Sequence, residues 1–199
     1  MTKAADSSKI IMDKKKLRKE ILSKLRSQSG RTTKEKSLII KKRLFEMEEF
    51  KRAKCVVFYV SMVEEADTHQ LIDESIRMGK IVGVPVLLPA KGGKGEKKLM
   101  ISRITDRMKQ LEVGPYCISQ PKPSDIKPIS CAEMDLILVP ALAFDREGRR
   151  LGRGKGYYDR FLGNVPQSAL TIGLCFDFQM MESVPTLPHD IPVRMVISN

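Results

Sequence analysis

Apolar residues in the first fifty positions recur at helical spacing. Ile10, Leu17, Ile21 and Leu25 fall on one stripe among charged neighbours, which predicts an amphipathic helix stopped by Gly30. Thr32 followed by Glu35 reads as a capping box that opens a second helix, with Ile40, Leu44 and Met47 turned inward. The pattern then becomes continuous. Residues 55–60, CVVFYV, are unbroken and β-rich, as in a strand covered on both faces. Leu71, Ile72 and Ile76 predict a helix ended by Gly79, and IVGVPVLL (residues 81–88) a second strand whose far end Pro85 makes irregular.

AKGGKGEKK (residues 90–98) reads as a flexible hairpin tip, because it lacks the strand-loop-helix context and the hydroxyl of a Walker loop. Residues 99–104 can pair as a further strand. Four prolines between positions 115 and 128 predict irregular connection there. MDLILVP (residues 134–140) carries the strongest buried-strand signal, and residues 169–175 and 193–198 predict two more. Strands alternating with helices predict an α/β fold. The expectation is a single three-layer domain over residues 1–199, with a mostly parallel central sheet and helices on both faces. A basic N-terminal helical part, about residues 9–50, would pack around it.

A hydrophobic content of 42% with seven Phe and four Tyr fits a globular chain. No apolar run approaches a membrane span, so no membrane partner is expected. The N-terminus lacks the apolar core of a secretory signal and carries acids, which predicts a cytoplasmic protein and leaves a mitochondrial one open. Net charge changes the picture more. Of the +12, an excess of +11 lies in residues 1–54, with 18 Lys/Arg against 7 Asp/Glu. Such a segment attracts nucleic acid, anionic lipid or polyphosphate ligands, or is simply a solvated helical face. Aromatics do not interleave with the basic run and no nucleic-acid reading element is present, so a basic nucleic-acid-binding protein is the rival rather than the preferred reading. Cys55, Cys117, Cys131 and Cys175 are scattered and His69 and His189 lie far apart, which predicts buried reduced thiols instead of a zinc site or disulfides.

The candidate chemistry lies at residues 149–161, RRLGRGKGYYDRF, beyond the strand that ends near Pro140. Alternating glycine weakens both helix and strand, so the segment is unusual as pure structure. Gly152, Gly154 and Gly156 let backbone approach a ligand and turn N–H groups toward it. Arg150, Arg153 and Lys155 supply charge for phosphate oxygens. A helix starting near Gly156 would point its positive end at the same place. Asp159 is the nearby hard oxygen ligand for magnesium. The bland alternative is a glycine-rich turn with solvated arginines. The spacing matches neither a Walker loop nor a dinucleotide-binding loop.

VPALAFDREGRRLGRGKGYYDRFL (residues 139–162) closely resembles the signature of the 5-formyltetrahydrofolate cyclo-ligase family, also called methenyltetrahydrofolate synthetases. KKKLR (residues 14–18) resembles that family's basic ATP-contacting motif, SMVEEADT (residues 61–68) its folate-site segment and HDIP (residues 189–192) its C-terminal motif. Arg194 stands where many relatives carry an acid, and Gln120 occupies another position that is often acidic.

The resemblance implies ATP-dependent conversion of 5-formyltetrahydrofolate to 5,10-methenyltetrahydrofolate, with ADP and phosphate released. A formyl amide oxygen is a poor leaving group; phosphorylating it makes a good one, and the neighbouring folate nitrogen then closes the ring. The resemblance implies ATP contacts at Lys14, Arg18, Arg150, Leu151, Gly152, Arg153, Gly154, Lys155, Gly156, Tyr157 and Tyr158. It implies folate contacts at Val60, Glu65, Arg153, Gly154, Lys155, Gly156 and Tyr157, with Lys155 and Arg153 acting on the transferring phosphoryl group. Asp159 and Asp190 would hold Mg2+. Tyr116, Tyr157 and Tyr158 are candidate stacking faces. The expected partner is a small-molecule folate, polyglutamylated or not, bound by a monomer; a relative with weakened catalysis is the second rival.

Overall fold

The computed structural model describes residues 3–89 and 97–199, with side chains from residue 7 onward. The hairpin tip expected around residues 90–98 therefore falls mostly outside the described residues. Two long helices come first, α1 (Lys3–Ser27) and α2 (Gly30–Glu46), then the short α3 (Glu48–Arg52). Gly30 does not stop α1; it is the first residue of α2, and Ser29 is the cap, its side chain accepting from the Thr32 N–H. Serine at the cap satisfies one orphan helix donor, which is why the start lies ahead of Thr32.

The remaining elements follow in order: β1 (Cys55–Val57), α4 (His69–Arg77), β2 (Ile81–Leu88), β3 (Lys98–Ile104), α5 (Arg107–Gln110), β4 (Leu111–Val113), β5 (Ser119–Pro121), β6 (Leu136–Val139), β7 (Ala143–Phe144), β8 (Arg150–Leu151), α6 (Tyr157–Leu162), β9 (Leu170–Cys175) and β10 (Met195–Ser198). Six strands form the central sheet in the order β10-β9-β6-β1-β2-β3, all parallel except the β2–β3 hairpin at one edge. β4–β5 and β7–β8 are separate two-stranded pairs.

Period-two alternation sorts the strand residues between two cores. Val56, Phe58, Leu136, Leu138, Ile172 and Leu174 pack with Ile21 and Leu25 of α1, Ile40 and Leu44 of α2, and Leu71 and Ile72 of α4. Val57, Ile137, Val139 and Cys175 pack on the other face with Phe144 and with Phe161 and Leu162 of α6. The mostly parallel α/β sheet with helices on both faces is as the pattern predicts. β1 is shorter than expected, because its ladder ends at Val57 while residues 58–60 run on buried toward the site.

Pro85 does not disrupt β2, which pairs continuously with β3 from Val82 to Leu88. The Gly83 carbonyl accepts from Phe58 on the β1 side, so residues 83, 85 and 87 direct their backbone groups that way. β1 has ended by Pro85, and the missing proline N–H removes no ladder bond. Of the four thiols expected to be buried, Cys55 and Cys175 are, whereas Cys117 is exposed and Cys131 intermediate. Among the described residues no helix is long and apolar enough to cross a membrane.

Candidate active site

β1 sends its chain one way along the sheet, through α4 to β2, and β6 sends its chain the other way toward β9. The loops leaving the carboxyl ends of these neighbouring strands diverge, and such a switch point is where open α/β sheets collect ligands. A cavity of about 590 Å3 opens there, bounded by Tyr59 and Val60 after β1 and by Pro140 and Ala141 after β6.

The turn that follows β7 is built to deliver the glycine loop. Asp145 is fully buried and accepts from the backbone N–H groups of Arg149 and Val184 and from the Arg149 guanidinium. β8 then pairs back on β7, which buries Arg150 and Leu151. Leu151 turns into the core and does not line the cavity. Beyond it the chain needs left-handed backbone at Gly154 (φ +95°) and Gly156 (φ +65°). A Cβ at Gly154 would stand 3.4 Å from the Arg18 guanidinium carbon, and one at Gly156 2.9 Å from Arg160.

Helix α1 docks on this loop through one face. Arg18 Nε donates to the Gly152 carbonyl at 2.9 Å, and Lys14, one turn earlier, pairs with Asp190. Lys14 is only 5% exposed, because it continues the stripe that buries Leu17 and Ile21. A cation on that stripe was the legible sign that this helix face meets an acid.

Three carboxylates line the cavity, and each is met by a cation. Asp190 Oδ2 accepts from Lys14 and from the Leu187 N–H at 2.6 Å. Burial opposes its ionisation, but the Leu187 N–H and Lys14 outweigh that and hold its pKa below the ordinary aspartate value. Asp159 Oδ1 accepts from Arg150 Nη2 at 2.7 Å and from the Ile191 N–H at 3.2 Å. Burial draws the Arg150 guanidinium below its ordinary pKa, against the pull of Asp159, Asp190 and Tyr158. Its Nε is buried and has no hydrogen-bond partner among the described residues. Glu65 accepts from Arg153 at 3.0 and 3.3 Å, and Glu64 takes the same guanidinium at 3.3 Å. Glu65 Oε2 also caps the Met62 N–H, which fixes the side chain on its own loop.

Across the cavity Tyr116 and Cys117 both adopt left-handed backbone, at φ 62° and 57°, uncommon for residues with a Cβ. That bend brings the Tyr116 hydroxyl within 3.2 Å of the Tyr157 hydroxyl. Tyr158 packs edge-on to Phe161 and is half-buried at the cavity lining; burial raises its pKa. Pro85, Leu87, Leu99 and Ile118 supply an apolar wall that periodicity did not reveal, since they read as ordinary strand and connection residues. Arg194 is exposed outside the cavity, anchored by its backbone N–H to Thr171.

Five cationic side chains (Lys14, Arg18, Arg150, Arg153 and Lys155) therefore face three acids and an apolar wall at one sheet switch point. That combination defines an α/β protein whose cations, carboxylates and apolar wall meet in one cavity, the kind of place where such sheets bind small molecules. Residues 10–199 match the 5-formyltetrahydrofolate cyclo-ligase family, and the chain belongs to it. It is 30% identical over 190 residues to the 5-formyltetrahydrofolate cyclo-ligase of Mus musculus, covering 92% of each chain. It is 32% identical over 154 residues to the enzyme of that name in Escherichia coli, covering 73% of this chain and 78% of that one. The solved structure of Aquifex aeolicus 5,10-methenyltetrahydrofolate synthetase superposes with a TM-score of 0.79 at 32% identity, over 93% of this chain and 89% of that one.

Proposed function

We propose that the chain converts 5-formyltetrahydrofolate to 5,10-methenyltetrahydrofolate with hydrolysis of ATP to ADP and phosphate, acting as a cytoplasmic monomer folded as one domain. The observation that carries this is the meeting of Glu65 and Arg153 in one cavity, an acceptor suited to pterin N–H groups beside a guanidinium suited to phosphate. Lys155 lines the same cavity, and among the described residues no acid pairs with it. Lys155 and Arg153 would hold the transferring phosphoryl group, Lys14, Arg18 and Arg150 the rest of the polyphosphate. Tyr157 and the apolar wall would bracket the folate.

The chemistry balances without a protein nucleophile. The formyl oxygen forms a bond to the γ-phosphorus as the bond to the β-phosphate oxygen breaks. The neighbouring folate nitrogen then attacks the formyl carbon, loses its proton, and phosphate leaves with the former formyl oxygen. Alignment and charge neutralisation dominate such transfers, which suits a cavity rich in fixed cations.

The donor set also fits magnesium. Among the described residues, Asp159 Oδ2 takes no hydrogen bond and Asp190 Oδ1 has only His189 within reach, at 4.0 Å. Each carboxylate thus keeps one oxygen for a hard cation while the other is held by protein. Bound there, magnesium would neutralise phosphate oxygens. The reading also needs Arg153 to exchange Glu65 for phosphate, which frees Glu65 to accept from the pterin.

Nucleic-acid binding is less well supported, because Lys14 is spent inside the cavity rather than displayed on a basic face. The test is a turnover assay in which ATP, magnesium and 5-formyltetrahydrofolate are omitted one at a time, read by the near-ultraviolet absorbance of the methenyl product. Product is expected only in the complete mixture; product without ATP, or none at all from folded protein, overturns the proposal.

A further inference from the structure

A threonine at a helix N-cap ordinarily accepts one of the first free N–H groups of its helix. Thr68 holds that position ahead of α4 and makes no such bond. Its side chain is fully buried and turns back to the chain leaving β1. Oγ1 donates to the Tyr59 carbonyl at 2.6 Å and accepts the Ser61 N–H at 3.1 Å. One hydroxyl proton and one lone pair are thereby used. Ser61 Oγ returns the contact, accepting the Thr68 N–H at 3.1 Å. These reciprocal bonds clasp residues 61 and 68, so the segment between them is a loop closed at its neck. The Tyr59 hydroxyl adds a rung inside it, donating to the Ala66 carbonyl at 2.9 Å. Val63, at the tip, is 94% exposed, so packing contributes little to holding the loop there. Glu65 hangs from this neck, held by the Met62 N–H of the same loop and, from across the cavity, by Arg153.

We propose that Thr68 is a positioning residue for the folate side of the reaction, its hydroxyl closing the loop that sets Glu65 against the pterin. This rests on the folate reading of the cavity, in which Arg153 leaves Glu65 for phosphate. Once the guanidinium has gone, the loop keeps the Glu65 carboxylate in place and the clasp keeps the loop. A carboxylate displaced from good geometry loses most of its directional affinity for N–H donors. The glycine loop is carried by β8 and α6 instead, so the ATP side does not share the clasp.

Thr68→Val keeps the side chain's shape and removes its hydroxyl, and Thr68→Ser restores the hydroxyl. Ser61→Ala is milder, removing the acceptor of the Thr68 N–H. Thr68→Val and Ser61→Ala are each made alone and with Glu65→Ala, and KM and kcat are measured for both substrates, with melting curves as the folding control. We expect Thr68→Val to raise the KM for 5-formyltetrahydrofolate by about fivefold or more, Ser61→Ala to raise it less, and the KM for ATP to stay within about twofold. Thr68→Ser should recover the wild-type folate KM. A merely structural role would lower melting temperature and the active fraction, hence kcat, and leave both KM values alone. In the Glu65→Ala background Thr68→Val should add nothing to the folate KM, because the group it positions is gone. An unchanged folate KM in Thr68→Val and Ser61→Ala, equal rises in both KM values, or a rise that multiplies fully with that of Glu65→Ala overturns the assignment. If Thr68→Val does not fold, Ser61→Ala against Glu65→Ala decides by the same criteria. Folded wild-type protein that makes no methenyl product overturns the functional reading beneath it instead.

Discussion

Replacing Asp159 with alanine should damage stability as well as chemistry. A residue on a solvent-facing glycine loop would be expected to contribute little to folding, but the structure places Asp159 against a buried cation. Arg150 has a side chain only 3% exposed, and Asp159 is 19% exposed. Asp159→Ala removes the 2.7 Å bond to the guanidinium and the 3.2 Å acceptor of the Ile191 N–H. Breaking one side of a buried ion pair costs roughly 3–5 kcal/mol, since the remaining charge is left uncompensated. Asp190 still acts on Arg150 and Asp159 is partly solvated, so the lower end, about 3 kcal/mol, applies. For a chain of this size that is a fall in Tm of about 6–12 °C. The assay is thermal melting without nucleotide or magnesium, on wild type, Asp159→Ala, Arg150→Met and the double variant Asp159→Ala/Arg150→Met. The double variant should recover part of the loss, because it buries no unpaired charge. An unchanged Tm in Asp159→Ala, or a double variant less stable than the sum of the two single losses, would mean that Arg150 is not held by Asp159.

Lys155→Ala should leave Tm within about 1 °C of wild type, as an exposed side chain would. Its kcat should fall by about a hundredfold or more, the usual cost of losing a group that stabilises developing charge; steady-state kinetics at saturating ATP reads this. Glu65→Gln should raise the KM for folate by about tenfold with nucleotide affinity nearly unchanged, and equilibrium binding of a non-hydrolysable ATP analogue checks the second half. For Asp190 the folded pKa lies below its ordinary 3.8, so its stabilising contribution is complete above that value and is lost as pH falls through the folded one. The stability difference between wild type and Asp190→Asn, from denaturant titrations, should be flat from about pH 7 to 5 and shrink below about pH 4.

Much of the fold was legible because its strands are buried on both faces. CVV, LILV and LTIGLC stand out as apolar runs without needing a partner to explain them. β7 and β8 did not stand out, since two-residue strands carry no periodicity and only their pairing makes Arg150 a buried residue. The start of α2 was misplaced for a similar reason. Ser29 and Thr32 both have cap chemistry, and the choice depends on which hydroxyl faces the first free N–H. The basic and acidic halves of the site were visible as residue types, but not that Lys14 meets Asp190 across 176 positions of sequence. The apolar wall was hidden most completely. Pro85, Leu99 and Ile118 acquire a shared role only where the β2–β3 hairpin leans over the end of β1.

The central claim is that the formyl oxygen is phosphorylated inside this cavity, and the fate of that oxygen tests it most directly. 5-Formyltetrahydrofolate labelled with oxygen-18 in the formyl group would be turned over with ATP and magnesium, and the released phosphate analysed by mass spectrometry. One labelled oxygen is expected in each phosphate, formed one-for-one with methenyl product. Label appearing in water, with unlabelled phosphate, would contradict that claim.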